Sequence, residues 1–175
     1  MEKIVLLTWI MVLATPVYCK YYSKSVPYEP VRLQKTNLRF YLHDILSGPN
    51  PTAVPIVRPN QFGALVAIDD PLTEGPEITS KKIGNARGMY ILASQGTDLT
   101  LVLYVDLGFT TGEFNGSSLS VLSRNPILEN PREMAVVGGR GRFRQASGFI
   151  TVKTQYLNTT TGDAVLEYNV EVVHP

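Results

Sequence analysis

From Leu38 onward the apolar residues come in short alternating runs separated by glycine, proline and asparagine, and no segment carries the long 3.6-residue stripe of a packed helix. Leu99–Phe109 is the clearest run. Leu99, Leu101, Leu103, Val105 and Leu107 fall on one face, and Thr100, Val102, Tyr104 and Asp106 on the other. Eight strand candidates can be marked: Leu38–Leu46, Phe62–Asp69, Arg87–Ala93, Leu99–Phe109, Ser117–Leu122, Glu133–Val137, Gly148–Leu157 and Ala164–Val173. Gly48-Pro49-Asn50-Pro51 and Asp70-Pro71 read as strand breaks, and Thr111-Gly112, Asn115-Gly116 and Thr161-Gly162-Asp163 as hairpin turns. The expectation is an all-β domain over residues 38–175: an eight-stranded antiparallel β-barrel with an interior pocket. A two-sheet sandwich is the competing architecture. Lys20–Asn37 is polar, contains Pro27 and Pro30, and reads as a flexible N-terminal arm.

Ahead of that arm, Ile4–Ala14 is an apolar run broken only by Thr8, behind a start that carries Lys3. It is too short to span a bilayer comfortably and has the form of a secretory signal peptide, residues 1–19, with cleavage after Cys19; an uncleaved anchor is the alternative. Cleavage removes Cys19 and Trp9, the chain's single cysteine and tryptophan. A secreted domain of about 156 residues without disulfides relies on its apolar core, which at that length buries about 70% of the unfolded surface. Secretion makes the sequons at Asn115 and Asn158 glycosylation candidates, whereas Asn50-Pro51-Thr52 is excluded by its proline.

Composition narrows the chemistry further. A net charge of +1 argues against a nucleic-acid binder, and with 2 histidines a Cys/His metal site is not expected. There is no G-x-S-x-G, P-loop, H-E-x-x-H or G-x-G-x-x-G motif. Gly138-Gly139-Arg140-Gly141 reads as a bend or bulge, not a phosphate cradle. Arg140, Arg142 and Arg144 alternate and would share one solvated or subunit-facing face, and His43 reads as an exposed or partly packed strand residue. Asp44 shares a face with Phe40, Leu42 and Leu46. If that face is interior, desolvation raises its pKa and makes it a proton donor or acceptor. The alternative is a strand-end aspartate bonding the amides of the Gly48-Pro49 turn. Arg132 could pair with a carboxylate or stabilise developing negative charge at the barrel mouth; a solvated strand-start arginine is the plainer reading.

Several segments, in order and with normal spacing, resemble the plant dirigent family. They are Phe40-Tyr-Leu-His-Asp-Ile-Leu46, Phe62-Gly63, Ile68-Asp-Asp-Pro-Leu72 and Ala86-Arg-Gly-Met-Tyr90. They continue with Phe114-Asn-Gly-Ser-Ser-Leu119, Arg132-Glu-Met-Ala-Val-Val-Gly-Gly139, Gly141 with Phe143-Arg144, Gly148, Thr161-Gly-Asp163 and Glu167-Tyr-Asn169. The resemblance implies an eight-stranded barrel, a homo-oligomer (dimer or trimer), secretion to the apoplast, and no metal or cofactor. It implies a phenolic small-molecule substrate or radical, with radicals supplied by an external laccase or peroxidase. The barrel then imparts stereoselectivity on coupling of monolignols, such as coniferyl alcohol, to optically active lignans. By the same resemblance Asp44 and Arg132 are catalytic, and Tyr90, Asn125 and Thr154 bind substrate. Asp44 would protonate a quinone methide while Arg132 and Tyr90 orient its oxygens.

The chain departs from the lignan-forming pattern at Asn125, in Ser123-Arg-Asn-Pro126, where those members carry a second aspartate. It is similar to the subgroup with an R-N motif, some of which act as lyases converting an isoflavanol to a pterocarpan through a quinone methide. A noncatalytic cell-wall binding module is the third expectation.

Overall fold

The computed structural model describes residues 23–27, 29–57 and 61–175. The expected signal peptide, with Trp9 and Cys19, lies outside them. Two units are distinguished, Met1–Pro30 and Val31–Pro175; the described residues of the first carry no regular element.

The second unit is all-β, a closed antiparallel barrel of eight strands with a ninth on its edge. The described strands are β1 (Gln34–Asp44), β2 (Ala53–Val57), β3 (Leu65–Thr73), β4 (Lys82–Leu92), β5 (Thr100–Phe109), β6 (Ser118–Pro126), β7 (Arg132–Arg140), β8 (Ser147–Leu157) and β9 (Ala164–His174). They pair in the order β1-β9-β8-β7-β6-β5-β4-β3-β2, and β1 also pairs with β3 through Tyr41↔Thr73 and Leu42↔Leu72, which closes the ring. The sandwich is excluded.

Period-2 alternation builds the interior. Phe40 and Leu42, Leu72, Leu103 to Leu107, Leu119 and Val121, Met134, Ile150 and Val152, and Tyr168 to Val172 form one buried cluster. One end of the barrel is shut by aromatic rings. Phe143, on a 3-10 turn (Gly141–Phe143) between β7 and β8, stacks on Phe114 at 4.7 Å and packs against Phe109 at 5.9 Å and His174 at 5.1 Å.

Several strand-level expectations need correction. β4 starts at Lys82 rather than Arg87, and β6 and β7 run on to Pro126 and Arg140 rather than Leu122 and Val137. β1 begins at Gln34 rather than Leu38: its polar start finds rungs on β9 from His174 to Glu171, and the Lys35–Glu171 ion pair lies along its outer side. β2 has no counterpart among the eight expected strands, because Pro55 and a run of exposed residues, Val54 to Val57, mask an edge strand. Asp70-Pro71 does not end β3. Pro71 falls where β3 passes from one partner, β2 at Ile68, to the other, β1 at Leu72, so its missing N–H is tolerated. Arg140, Arg142 and Arg144 do not alternate along a strand, because the 3-10 turn separates them; all three are exposed. Gly138 and Gly139 belong to β7, beside a register shift against β6 that fits the expected bulge.

That change of partner along β3 also explains β2. The chain leaves β1 after Asp44, makes an excursion over residues 45–52, and returns to the same edge of β3. The excursion is stitched shut at its neck, where the Thr52 and Ala53 amides donate to the Ile45 carbonyl at 2.8 and 3.0 Å.

Candidate functional site

The candidate side chains gather at the end of the barrel opposite the aromatic plug. Asp44 closes β1, and Tyr90 stands near the end of β4. Asn125 lies near the end of β6, Arg132 opens β7 and Thr154 lies toward the end of β8. Antiparallel order brings these positions to one rim.

Asp44 lies on the interior face, as alternation predicts. Its Oδ1 is buried with no hydrogen-bond partner, and the Tyr90 phenol lies beside its carboxyl group. The turn-capping alternative is excluded, because another residue does that work. The Asp163 carboxylate accepts the Leu46 and Ser47 amides at 2.8 and 2.9 Å and the Ser47 hydroxyl. Those hydrogen bonds hold the Asp163 carboxyl below its ordinary pKa. Burial pushes Asp44 the other way, up to about 7, helped by repulsion from Asp163 and opposed by Tyr90.

A second carboxyl group, from the Asp70-Pro71 pair that has the form of a strand break, completes this side. The β1–β3 register, continued two steps past Leu42↔Leu72, sets Asp70 opposite Asp44. Asp70 is 1% exposed; Oδ1 is bonded by the Thr52 hydroxyl at 2.6 Å and Oδ2 has no partner. Burial first, then the neighbouring Asp44, pushes Asp70 up to about 8. Two facing carboxyls in apolar surroundings cannot both ionise cheaply, so the pair keeps a proton near neutral pH and titrates as a unit. Tyr90 and Tyr168 are raised too, mainly by burial, and stay neutral phenols.

Across the interior, Arg132 is 4% exposed, not solvated. Its partners are neutral. Nε donates to Asn125 Oδ1, and Nη1 to Thr154 Oγ1 at 2.9 Å and to the Glu129 carbonyl at 3.4 Å. Burial lowers its pKa, but a guanidinium remains charged. Asn125 therefore orients a cation without neutralising it, and the site has acids on one side and a cation on the other. His43 differs from expectation: it is buried, with Nε2 on the Thr73 hydroxyl at 2.7 Å, and burial lowers its pKa. It braces the seam and turns away from the acids.

A carboxyl pKa raised by folding carries a stability signature. Between the unfolded value and the folded ones the native state binds more protons than the unfolded chain, so stability falls as pH rises through that window. Asp70→Asn removes one such group. We expect it to raise the melting temperature at pH 8.5 and to change it less at pH 5, as thermal unfolding at the two pH values will show.

The two sequons lie in turns. Asn115 is exposed after the 3-10 turn Gly112–Phe114. Asn158 opens the β8–β9 turn, where its Oδ1 accepts the Thr160 and Thr161 amides at 2.9 and 3.2 Å.

Comparison with known proteins gives a consistent result. The family described as Dirigent-like protein matches residues 35–173. The chain is 51% identical over 166 residues to Dirigent protein 15 of Arabidopsis thaliana, covering 88% of this chain and 87% of the relative. It is 46% identical over 147 residues to Pterocarpan synthase 1 of Glycyrrhiza echinata, covering 79% and 78%. The solved structure of a pterocarpan synthase dirigent protein superposes with a TM-score of 0.79 at 44% identity, covering 85% of this chain and 89% of that one.

Proposed function

Because the chain belongs to the dirigent-like family, we propose that its barrel binds a phenolic quinone methide and fixes the face on which it closes. The observation that carries this reading is the pair of proton-holding carboxyls, Asp44 and Asp70, facing a buried cation, Arg132. A quinone methide is an electrophile whose ring oxygen becomes a phenol as a nucleophile adds. That change needs a proton delivered to the oxygen while the attacking hydroxyl loses one. Asp44 supplies the first, Tyr90 holds the Asp44 carboxyl, and Arg132 with Thr154 and the Asn125 amide orients substrate oxygens. Proton donor and charge clamp come from fixed strands, so selectivity arises from positioning.

Two precursors lead to such a species. Coupling of two monolignol radicals, made by a separate laccase or peroxidase, gives the lignan route. Loss of water from an isoflavanol gives the pterocarpan route, which the similarity to proteins named pterocarpan synthase favours. Asn125 also favours it, since the Arg132 side of the pocket offers no second acid there. The deciding assay incubates the protein with coniferyl alcohol, with and without laccase, and separately with an isoflavanol, and resolves products on a chiral column. Enantiomeric excess only with laccase supports the lignan route; turnover of the isoflavanol alone supports the lyase. Racemic coupling and no isoflavanol turnover would remove both.

The same reading includes secretion to the apoplast, glycans on Asn115 and Asn158, and self-association. The outer surface of β4–β6 supports the last. Met89, Tyr104 and Leu122 lie side by side across three strands, with Ile91 beside Val102, and all five are exposed. Tyr104→Asp with Leu122→Glu is expected to shift a sedimenting oligomer to monomer; an unchanged sedimentation coefficient counts against this face.

A further inference from the structure

We propose that Thr52 is a positioning residue whose hydroxyl turns between two acceptors, so that Asp70 can hold a proton in reserve for Asp44 or give it up. This rests on the function proposed above and deepens it.

The geometry is that of a three-way junction. Thr52 Oγ1 accepts the Ile45 amide at 3.1 Å and lies 2.6 Å from Asp70 Oδ1 and 3.3 Å from the His43 carbonyl oxygen. A hydroxyl carries one proton, so it can donate to only one of those two acceptors at a time. When Asp70 is ionised, the Thr52 proton points at Oδ1. When Asp70 is protonated on Oδ1, the carboxylic acid donates to Thr52 Oγ1, and the Thr52 proton turns to the His43 carbonyl. The Ile45 amide keeps its bond in both states. In both states the Thr52 hydroxyl donates once and the Ile45 amide stays bonded; the hydroxyl's bond to the charged Oδ1 is the stronger of the two and favours the ionised state. The junction cannot drift, because the neck of the excursion is held by the Ile45 carbonyl and the Asp69 amide donates to the Thr52 carbonyl at 2.9 Å.

Two buried oxygens without hydrogen-bond partners, Asp44 Oδ1 and Asp70 Oδ2, belong to the facing carboxyls. The groups around them are Asp69 on the same strand, Tyr90 from β4, Tyr168 from β9, Arg132 beyond Tyr168, and Asp163 beside Asp44. Asp69 is occupied outside by Asn85 and Arg87. In the proposed cycle Asp44 gives its proton to the quinone methide oxygen, and Asp70 replaces it. The Asp70 carboxylate, bonded by Thr52, is refilled by the proton that the attacking hydroxyl releases. No proton is gained or lost overall.

The test follows the carboxyl carbons of Asp70 and Asp44 by NMR across pH 5–10 in the full chain, alongside the pH profile of activity. Thr52→Val keeps the shape and removes the hydroxyl. It is expected to move the Asp70 midpoint and the alkaline limb of activity upward by about one pH unit, and Thr52→Ser is expected to restore both. Valine curves that superimpose on wild type overturn the proposal. If the valine variant does not fold, the wild-type Ile45 amide decides, since its shift must follow the Asp70 midpoint as the hydroxyl turns; a flat response overturns the proposal. Full activity in Asp44→Asn would instead sink the functional reading, and the Asp70 titration would still judge Thr52.

Discussion

Asp44→Asn is expected to lower the stereoselective activity by roughly 10²- to 10⁴-fold, the usual worth of a positioned general acid, while the barrel stays folded. The amide matches the carboxyl in shape and keeps the hydrogen bond to Tyr90 possible, but it cannot donate a proton and recover it. Stability is not lost, and above about pH 7 it rises as it does for Asp70→Asn, since burying a neutral amide relieves the desolvation that raises the carboxyl's pKa. Circular dichroism with chiral product analysis separates the outcomes. A folded variant with wild-type enantiomeric excess and turnover would show that Asp44 does not transfer the proton. The pH profile gives a second check. If the proton-bearing pair is the working form, activity is lost as pH rises through the Asp44 and Asp70 titrations, at about 7 and about 8.

Phe143→Ala is expected to destabilise the domain by about 3–5 kcal/mol, the largest stability effect predicted for a single side chain. Phe143 is fully buried, stacks on Phe114, and touches Phe109 and His174, so truncation leaves a cavity ringed by aromatics. Those neighbours are fixed by strand ends and a 3-10 turn and cannot collapse into the gap. His174 is further tied to the Thr36 hydroxyl at 2.9 Å. At ~2–4 °C per kcal/mol for a domain of this size, the melting temperature falls by roughly 10 °C, readable by calorimetry. A fall of under about 2 °C would mean that the plug is not a unit of the core.

Alternation made most of the barrel legible. Leu103, Val105 and Leu107 are buried where period 2 put them, and the same rule placed Asp44 inside. What alternation cannot show is which strand lies across from which. Asp70 escaped notice because aspartate before proline has the form of a turn, and only the exchange of partners along β3 lets the strand run through it. Thr52 was hidden in a proline-rich loop whose significance depends on meeting Asp70, 18 positions away in sequence. His43 misled for a related reason: it faces away from the interior, yet the β1–β3 seam covers it. The glycine-flanked Arg140–Arg144 stretch alternates on paper, but a 3-10 turn breaks the period. Resemblance brought Tyr90, Asn125, Arg132 and Thr154 together on a list. Among them, Arg132 bonding to a neutral amide and hydroxyl, and not to a carboxylate, could be read only from the structure.

The aromatic plug has a kinetic consequence. With Phe109, Phe114 and Phe143 filling one end, that end of the barrel is shut. A substrate that enters past Asp44 and Arg132, as proposed, must leave by the same rim. Product must therefore clear the rim before new substrate can reach the acids, so the product should inhibit competitively.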